Sequence, residues 1–172
     1  MNTQQQQTIF KQIIVDHAGI LKKVGRIYCA SADDREDLLQ ETLIQLWRSL
    51  PSYRPGAVSY STWTYRVALN VAISYYRKNQ VRMRKTTPLS DNINPISPEN
   101  DDDKEAQLRQ LEHFIDELKE LDKALILLYL EGKNHRETAD IMGVSVSNVG
   151  TRIARIKEKL RTKFSTFKTN IK

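Results

Sequence analysis

Apolar residues recur along this chain at intervals of three and four and nowhere alternate over a convincing length, so the pattern predicts helices and no strands. Residues 8–29 carry Ile9, Phe10, Ile13, Ile14, Ala18, Leu21, Val24 and Tyr28 on one side of a helix, with Gly19 and Gly25 as candidate points of a kink. Ser31 to Asp34 is a polar break with capping residues. Over about 34–50, Leu38, Leu39, Leu43, Leu46, Trp47 and Leu50 point inward, while Asp37, Gln40, Glu41, Gln45 and Arg48 share the other face. Pro51 ends that helix. After the loop PSYRPGAVS, a third helix is expected over about 61–79, capped by Ser61 or Thr62. Val67, Ala68, Val71, Ala72 and Tyr75 form its inner face, and Arg66, Asn70, Ser74 and Arg77 form a polar stripe at spacings of four and three.

From about Val81 to Lys104 the chain turns rich in Pro, Asn, Ser and Asp, with few residues able to build a core, and reads as a linker. Helix resumes over about 105–117. The next helix, about 120–131, holds Ala124, Leu125, Ile126, Leu127, Leu128, Tyr129 and Leu130, is apolar nearly all round, and is expected at the centre of a small second domain. Beyond Gly132 comes HRETADIMGVSVSNVGTRIARIKEKLR, residues 135–161. A short helix there runs into Gly143-Val144-Ser145, a small-residue turn with Ser145 as N-cap. A second helix follows, with Val146, Val149, Ile153, Ile156, Leu160 and Phe164 on one face. Its outward face carries Ser147, Asn148, Thr151, Arg152 and Arg155, residue types suited to a helix inserted in the DNA major groove. The plainer reading is a helical hairpin with a solvated basic face. Turn, cap and arginine spacing together favour a helix-turn-helix.

Charge sharpens this picture. The net charge is +6, from 27 Lys plus Arg against 21 Asp plus Glu, and it is unevenly spread. Residues 1–85 hold 13 basic and 6 acidic side chains, residues 86–105 hold 1 and 6, and residues 106–172 hold 13 and 9. Two basic blocks flanking an acidic segment suggest two contacts with a polyanion. In residues 50–79 aromatic and basic side chains are interleaved, as in Tyr53-Arg54, Trp63 and Tyr65-Arg66. Unpaired bases are held by flat rings for stacking and cations for phosphates. Trp63, Tyr65 and Tyr75 are also ordinary core candidates, whereas Tyr53 sits in a Pro- and Gly-containing loop suited to receiving an extruded base. The face with Asp37, Gln40 and Glu41 is acidic in a basic region. It reads either as a solvated helix face or as a docking surface for a basic protein partner.

Enzyme readings find no support. His17, His113 and His135 fall on three different predicted helical segments without metal-ligand spacing. There is no Gly-rich phosphate loop and no nucleophile elbow. Asp101-Asp102-Asp103 lacks an EF-hand pattern and reads as a solvated charge run. No catalytic residue, metal or cofactor is therefore expected. The one cysteine, Cys29, excludes an internal disulfide and reads as a half-buried thiol. The N-terminus MNTQQQQTIF is not a secretory signal, and no apolar run reaches the roughly 18–20 residues that span a bilayer. A cytoplasmic protein is expected.

The runs DREDLLQETLIQLWRSLPSYR (34–54) and YSTWTYRVALNVAISYYRK (60–78), followed by the helix-turn-helix at 135–161, resemble bacterial RNA polymerase sigma factors. The likeness is greatest to the extracytoplasmic function (ECF) group, which keeps only the second and fourth sigma domains. It implies a second sigma domain over 1–80, a linker over 81–104 and a fourth sigma domain over 105–172. By motif match, Asp37, Gln40 and Glu41 dock on the clamp coiled coil of core RNA polymerase. Tyr53, with Arg54 beside it, stacks on a flipped non-template base. Asn70 lines the strand's path near Arg66, and Trp63 lies near the melted junction with a structural share. The recognition helix reads the upstream promoter element through Arg152 and Arg155, beside Ser147, Asn148 and Thr151. An anti-sigma partner, often a membrane protein in this group, is implied by the resemblance alone. Two departures stand out. Gly150 replaces a basic residue common early in the recognition helix, and Leu118-Lys119-Glu120-Leu121 lacks a common proline.

The expectation is thus an all-α chain of two small helical domains joined by a flexible linker. It would bind core RNA polymerase and promoter DNA and direct promoter-specific initiation and melting, with no catalysis of its own. The alternative is a self-sufficient helix-turn-helix regulator that binds a palindrome as a dimer.

Overall fold

A computed structural model of the chain describes residues 2–86 and 103–170, and most of the expected linker, with the aspartates Asp101 and Asp102, lies outside the described residues. Among the described residues every regular element is helical: seven α-helices and one 3-10 turn, with no strand. Helix α1 (Thr3–Tyr28) starts earlier than the apolar pattern, because Asn2 and Gln5 close a capping box: each side chain bonds the other's backbone N–H. Its break is at His17 (φ −117°, ψ 17°), and not at Gly19 or Gly25 as expected. Glycine permits a kink but does not impose one, and here both glycines stay helical. Helix α2 (Ala32–Ser49) is capped by Ser31, whose hydroxyl accepts the Asp34 N–H at 3.0 Å, and Asp33 and Asp34 complement its dipole. Pro51 falls in a 3-10 turn, Leu50–Ser52. Helix α3 (Tyr60–Thr86) begins one residue before the expected cap Ser61, since Ser59 accepts the Thr62 N–H, and it continues past the expected end at 79.

Four further helices follow: α4 (Asp103–Asp116), α5 (Glu120–Leu130), α6 (His135–Met142) and α7 (Val146–Asn170). Two apolar cores result. Ile13, Val24, Leu38, Leu46, Leu69 and Ala72 centre the packing of α1, α2 and α3. Phe114, Ile115, Val149, Ile153 and Ile156 centre that of α4, α6 and α7. Helix α5 belongs to both. Ala124, Leu127 and Leu128 enter the first core, and Leu125 and Ile126 enter the second. This explains why α5 is apolar nearly all round. The expected role, centre of the second domain, is half of what it does. Tyr129 and Leu130, at its C-terminal end, remain exposed.

One charged residue is trapped at this junction. Lys123 on α5 is only 4% exposed. Its ammonium donates to the Ile27 carbonyl at 3.2 Å, lies over the Tyr76 ring and sits 3.6 Å from Asp116, itself largely exposed. Burial pushes the lysine pKa down, and Asp116 opposes the shift. Replacing a buried charge by an apolar chain of like shape is commonly neutral or stabilising, and Asp116 would stay solvated. Lys123→Met should therefore raise the unfolding free energy by about 1 kcal/mol in a urea titration. A loss of about 1 kcal/mol or more would instead show that the bond to Ile27 outweighs the desolvation.

Candidate nucleic-acid interface

The helix-turn-helix is set by three local devices. Asn134 and Glu137 form a capping box at the start of α6. Gly143 ends α6 at φ +67°, the left-handed geometry that glycine adopts without strain. Ser145 then accepts the Asn148 N–H at 3.1 Å and opens α7. Val149, Ile153, Ile156 and Leu160 anchor α7 in the second core. Ser147, Asn148, Thr151 and Arg155 are exposed on its outer face, as the sequence pattern anticipates.

Arg152 is placed differently. It is half-buried, and its Nε and Nη2 both donate to Asp122 Oδ1, at 3.2 and 2.7 Å. Two donors of its fork thus hold α7 against α5. An open groove of about 480 Å³ runs beside this pair, lined by Lys119, Asn148, Thr151, Arg155 and Lys159. Lys119, at the start of α5, and Lys159, one turn on from Arg155 along α7, add cations at the groove that the sequence argument left without a role. A Cβ on Gly150 would point at the His135 ring, 3.5 Å from Nδ1. A longer side chain there would run along α6.

On α2, Asp37 and Gln40 are exposed and Glu41 is half-buried. Glu41 lies 3.9 Å from the Lys78 ammonium of α3. Ile44, one helical turn on from Glu41, is 49% exposed among these polar groups and was not expected there. Its signal was the apolar residue at the wrong phase of the helix. Glu41 and Asn70 line one groove between α2 and α3, together with Gln45, Val67, Ser74 and Lys78. The acidic stripe and one candidate DNA residue are therefore neighbours.

Tyr53 is half-buried and does not project freely from its loop. Its ring stacks on Tyr60 with centroids 4.4 Å apart and tilts against Trp63 at 5.5 Å, while its hydroxyl donates to the Val58 carbonyl at 2.6 Å. Burial, then Tyr60, raises its pKa. The result is a rigid aromatic platform beside the exposed Arg54, with Trp63 buried beneath it as a core residue. Tyr60 is the member of the platform that the sequence argument left without a role. Arg66 Nε donates to the Asp140 carbonyl at the end of α6, at 2.8 Å.

No group of three or more His, Cys, Asp or Glu side chains among the described residues could hold a metal ion. Cys29 is buried more deeply than expected, 5% exposed, and burial pushes its thiol pKa up to about 11, against reactivity. None of the helices among the described residues is long and apolar enough to cross a membrane.

Residues 13–82 match the family model of sigma-70 region 2, and residues 108–160 match that of sigma-70 region 4. The chain is 30% identical over 173 residues to the ECF RNA polymerase sigma-E factor of Escherichia coli K12, covering 91% of this chain and 87% of that protein. The Haemophilus influenzae sigma-E factor is 30% identical over 77% of this chain and 76% of its own length. The Mycolicibacterium smegmatis factor SigE is 27% identical over 87% of this chain, which spans 59% of that longer protein. The chain belongs to the ECF RNA polymerase sigma factors. Its fold is shared with two solved structures, each 21% identical in sequence: RpoE in complex with the anti-sigma factor NepR from Bartonella quintana, with a TM-score of 0.69 over 91% of this chain and 96% of that one, and CnrH in complex with the cytosolic domain of CnrY, with a TM-score of 0.67 over 93% and 90%.

The clamp on Arg152 separates it experimentally from Arg155. Charged hydrogen bonds of this kind are worth about 1.5–3 kcal/mol. Arg152→Ala and Asp122→Ala should each destabilise by about 1–2 kcal/mol, with strong coupling in a double-mutant cycle measured by thermal unfolding. Arg155→Ala should leave unfolding within about 0.5 kcal/mol of wild type. Additive effects at Arg152 and Asp122 would remove the clamp.

Proposed function

We propose that this chain is the sigma subunit that brings core RNA polymerase to a set of promoters and opens them. Asp37, Gln40 and Glu41, with Ile44 as an apolar anchor, form the surface for core polymerase. An exposed apolar side chain ringed by charges is the usual anatomy of a small hot spot. The Tyr53–Tyr60 platform with Arg54 receives a base of the non-template strand, and Asn70 and Arg66 flank its path. Ring stacking recovers roughly 1–3 kcal/mol per base, the order of what unstacking requires. The outer face of α7, through Ser147, Asn148, Thr151 and Arg155, reads the upstream element, and Lys119 and Lys159 contact its phosphates. Arg152 positions α7 and keeps one fork nitrogen for DNA.

The observation that carries this reading is the pairing, in one chain, of an exposed recognition helix with a groove shared by Glu41 and Asn70. In this reading the polymerase contact and the strand contact meet at that groove, which supports their acting together. Neither unit buries enough surface for tight DNA binding alone. Core polymerase tethers both, and the effective concentration makes weak contacts sufficient. A dimeric helix-turn-helix regulator needs no such groove and is not favoured. The site of action is the cytoplasm, where the polymerase works. Solved relatives bound to NepR and to the cytosolic domain of CnrY support an anti-sigma partner for this chain as well.

The docking surface is tested by Asp37→Arg combined with Glu41→Arg, which reverses the local field and leaves the buried face of α2 intact. Affinity for purified core polymerase should fall at least about tenfold, which is about 1.4 kcal/mol, with helicity unchanged. Promoter-directed run-off transcription should fall in parallel. Unchanged core affinity would move the docking surface elsewhere. A footprint by the wild-type chain without polymerase would favour the regulator.

A further inference from the structure

The groove beside the recognition helix is lined by four cations, Lys119, Arg152, Arg155 and Lys159, and by one carboxylate, Asp122. With α7 as the upstream reader, a carboxylate there repels the DNA phosphates, so its presence needs a physical reason. The reason is Arg152. Asp122 stands in the first turn of α5, where the helix dipole favours the ionised carboxyl, and α5 is fixed by Ala124, Leu125 and Leu128 in the two cores. Its Oδ1 accepts from both Nε and Nη2 of Arg152, with 15% of the aspartate and 29% of the arginine side chain exposed. The ion pair of Arg161 with Glu158, each side chain 66% exposed, fixes nothing comparable. A guanidinium has five N–H groups, and this grip uses two of them along one side of the fork. Nη1 stays wholly free and Nη2 keeps one N–H. Those two nitrogens form the end of the fork, whose spacing suits guanine O6 and N7. Arg155, exposed on the same helix, has no carboxylate partner among the described residues.

We propose that Asp122 is a positioning residue for promoter recognition: by gripping one side of the Arg152 guanidinium it presents the other end to a guanine of the upstream element, and so sets the base preference at one position without touching DNA itself. This rests on the reading of α7 as the upstream reader. A loose arginine loses rotamer freedom when it binds a base, whereas a held one has lost it already on folding. Holding also narrows what is accepted. A fork that cannot swing keeps its two donors for two acceptors at one spacing, and a loose one reaches a phosphate or another base edge instead. With Arg152 in place, the Asp122 charge is neutralised inside the groove. Without it, the carboxylate stands unpaired beside the DNA. Removing the arginine alone is therefore worse for promoter binding than removing both partners.

The test uses holoenzyme reconstituted from core polymerase and the full chain. It selects among duplex variants of one promoter, mapped by run-off transcription, in which each position of the upstream element is randomised in turn. Sequencing of bound and unbound DNA gives the base preference at every position. A preference is a ratio within one sample, so a variant that folds less fully still reports it. Wild type should favour guanine at one position, and Arg152→Ala should lower that preference about tenfold, the size of one bidentate contact. Asp122→Ala should lower it at the same position by a similar factor, and the double variant should lower it no further. Asp122→Asn keeps an accepting oxygen and should retain most of the preference. Arg155→Ala should act at a different position. Over the whole pool, Arg152→Ala should bind more weakly than the double variant. Full preference in Asp122→Ala, or a loss at another position, overturns the positioning role. So does a double variant that binds no better than Arg152→Ala alone. If Arg152→Ala changes no preference while Arg155→Ala does, the inference alone falls. If no substitution on α7 changes any preference, the reading of α7 as the upstream reader falls with it.

Discussion

Helix α5 is the constraint on which the rest of this molecule depends. Eleven residues long, it is shared between two apolar cores, with Ala124, Leu127 and Leu128 turned one way and Leu125 and Ile126 the other. Each helical bundle alone is small, and small bundles bury too little surface to be robust. Sharing one helix lets both complete their cores. The same helix carries the groups that orient the functional elements: Asp122 grips Arg152 of α7, Glu120 grips Arg77 of α3, and Lys123 bridges to Ile27 of α1. Geometry at the recognition helix and geometry at the α3 stripe are therefore set from one place.

That arrangement links packing to function through charge. The recognition face of α7 and the α3 stripe are both basic, and basic surfaces without DNA repel each other and attract any polyanion. Glu120 pairs with Arg77 and the Asp140 carbonyl accepts from Arg66, and Arg77 in turn holds the Glu120 carboxyl below its usual pKa range. The acidic face of α2 stays outside this network, apart from the contact of Glu41 with Lys78. The α2 face is thus left largely open, while two arginines of the α3 stripe are paired.

Local devices were legible in the sequence; long-range ones were not. The turn at Gly143, the Ser145 cap and the exposed outer face of α7 follow from residue type and spacing, because they depend on neighbours within one helical turn. The stop at Pro51 and most of the cores of α1–α3 were legible for the same reason, although Leu39, expected inward, is 40% exposed. The clamp of Asp122 on Arg152 was not, since it joins residues thirty apart in the chain and an arginine on a polar face looks alike whether paired or solvated. Tyr53 was read as a presented loop residue, yet its hydroxyl reaches Val58 and its ring lies on Tyr60. A glycine-containing loop indicates freedom of the backbone and says nothing of how its side chains fold back. The double role of α5 was written in its all-round apolarity, but that pattern names a buried helix without saying what buries it. The kink at His17 in place of Gly19 carries the same lesson: a permissive residue allows a bend without imposing one.

The central claim is that this chain gives core polymerase the ability to open promoter DNA through its aromatic platform. Permanganate reactivity of unpaired thymines on a promoter mapped by run-off transcription tests it most directly. Core polymerase with the wild-type chain should expose thymines upstream of the start site. Core alone should expose none, and core with Tyr53→Ala should bind the promoter yet open it far less, with normal transcription from a premelted template whose flipped base is absent. Equal opening by wild type and Tyr53→Ala, or opening by core alone, would contradict the account.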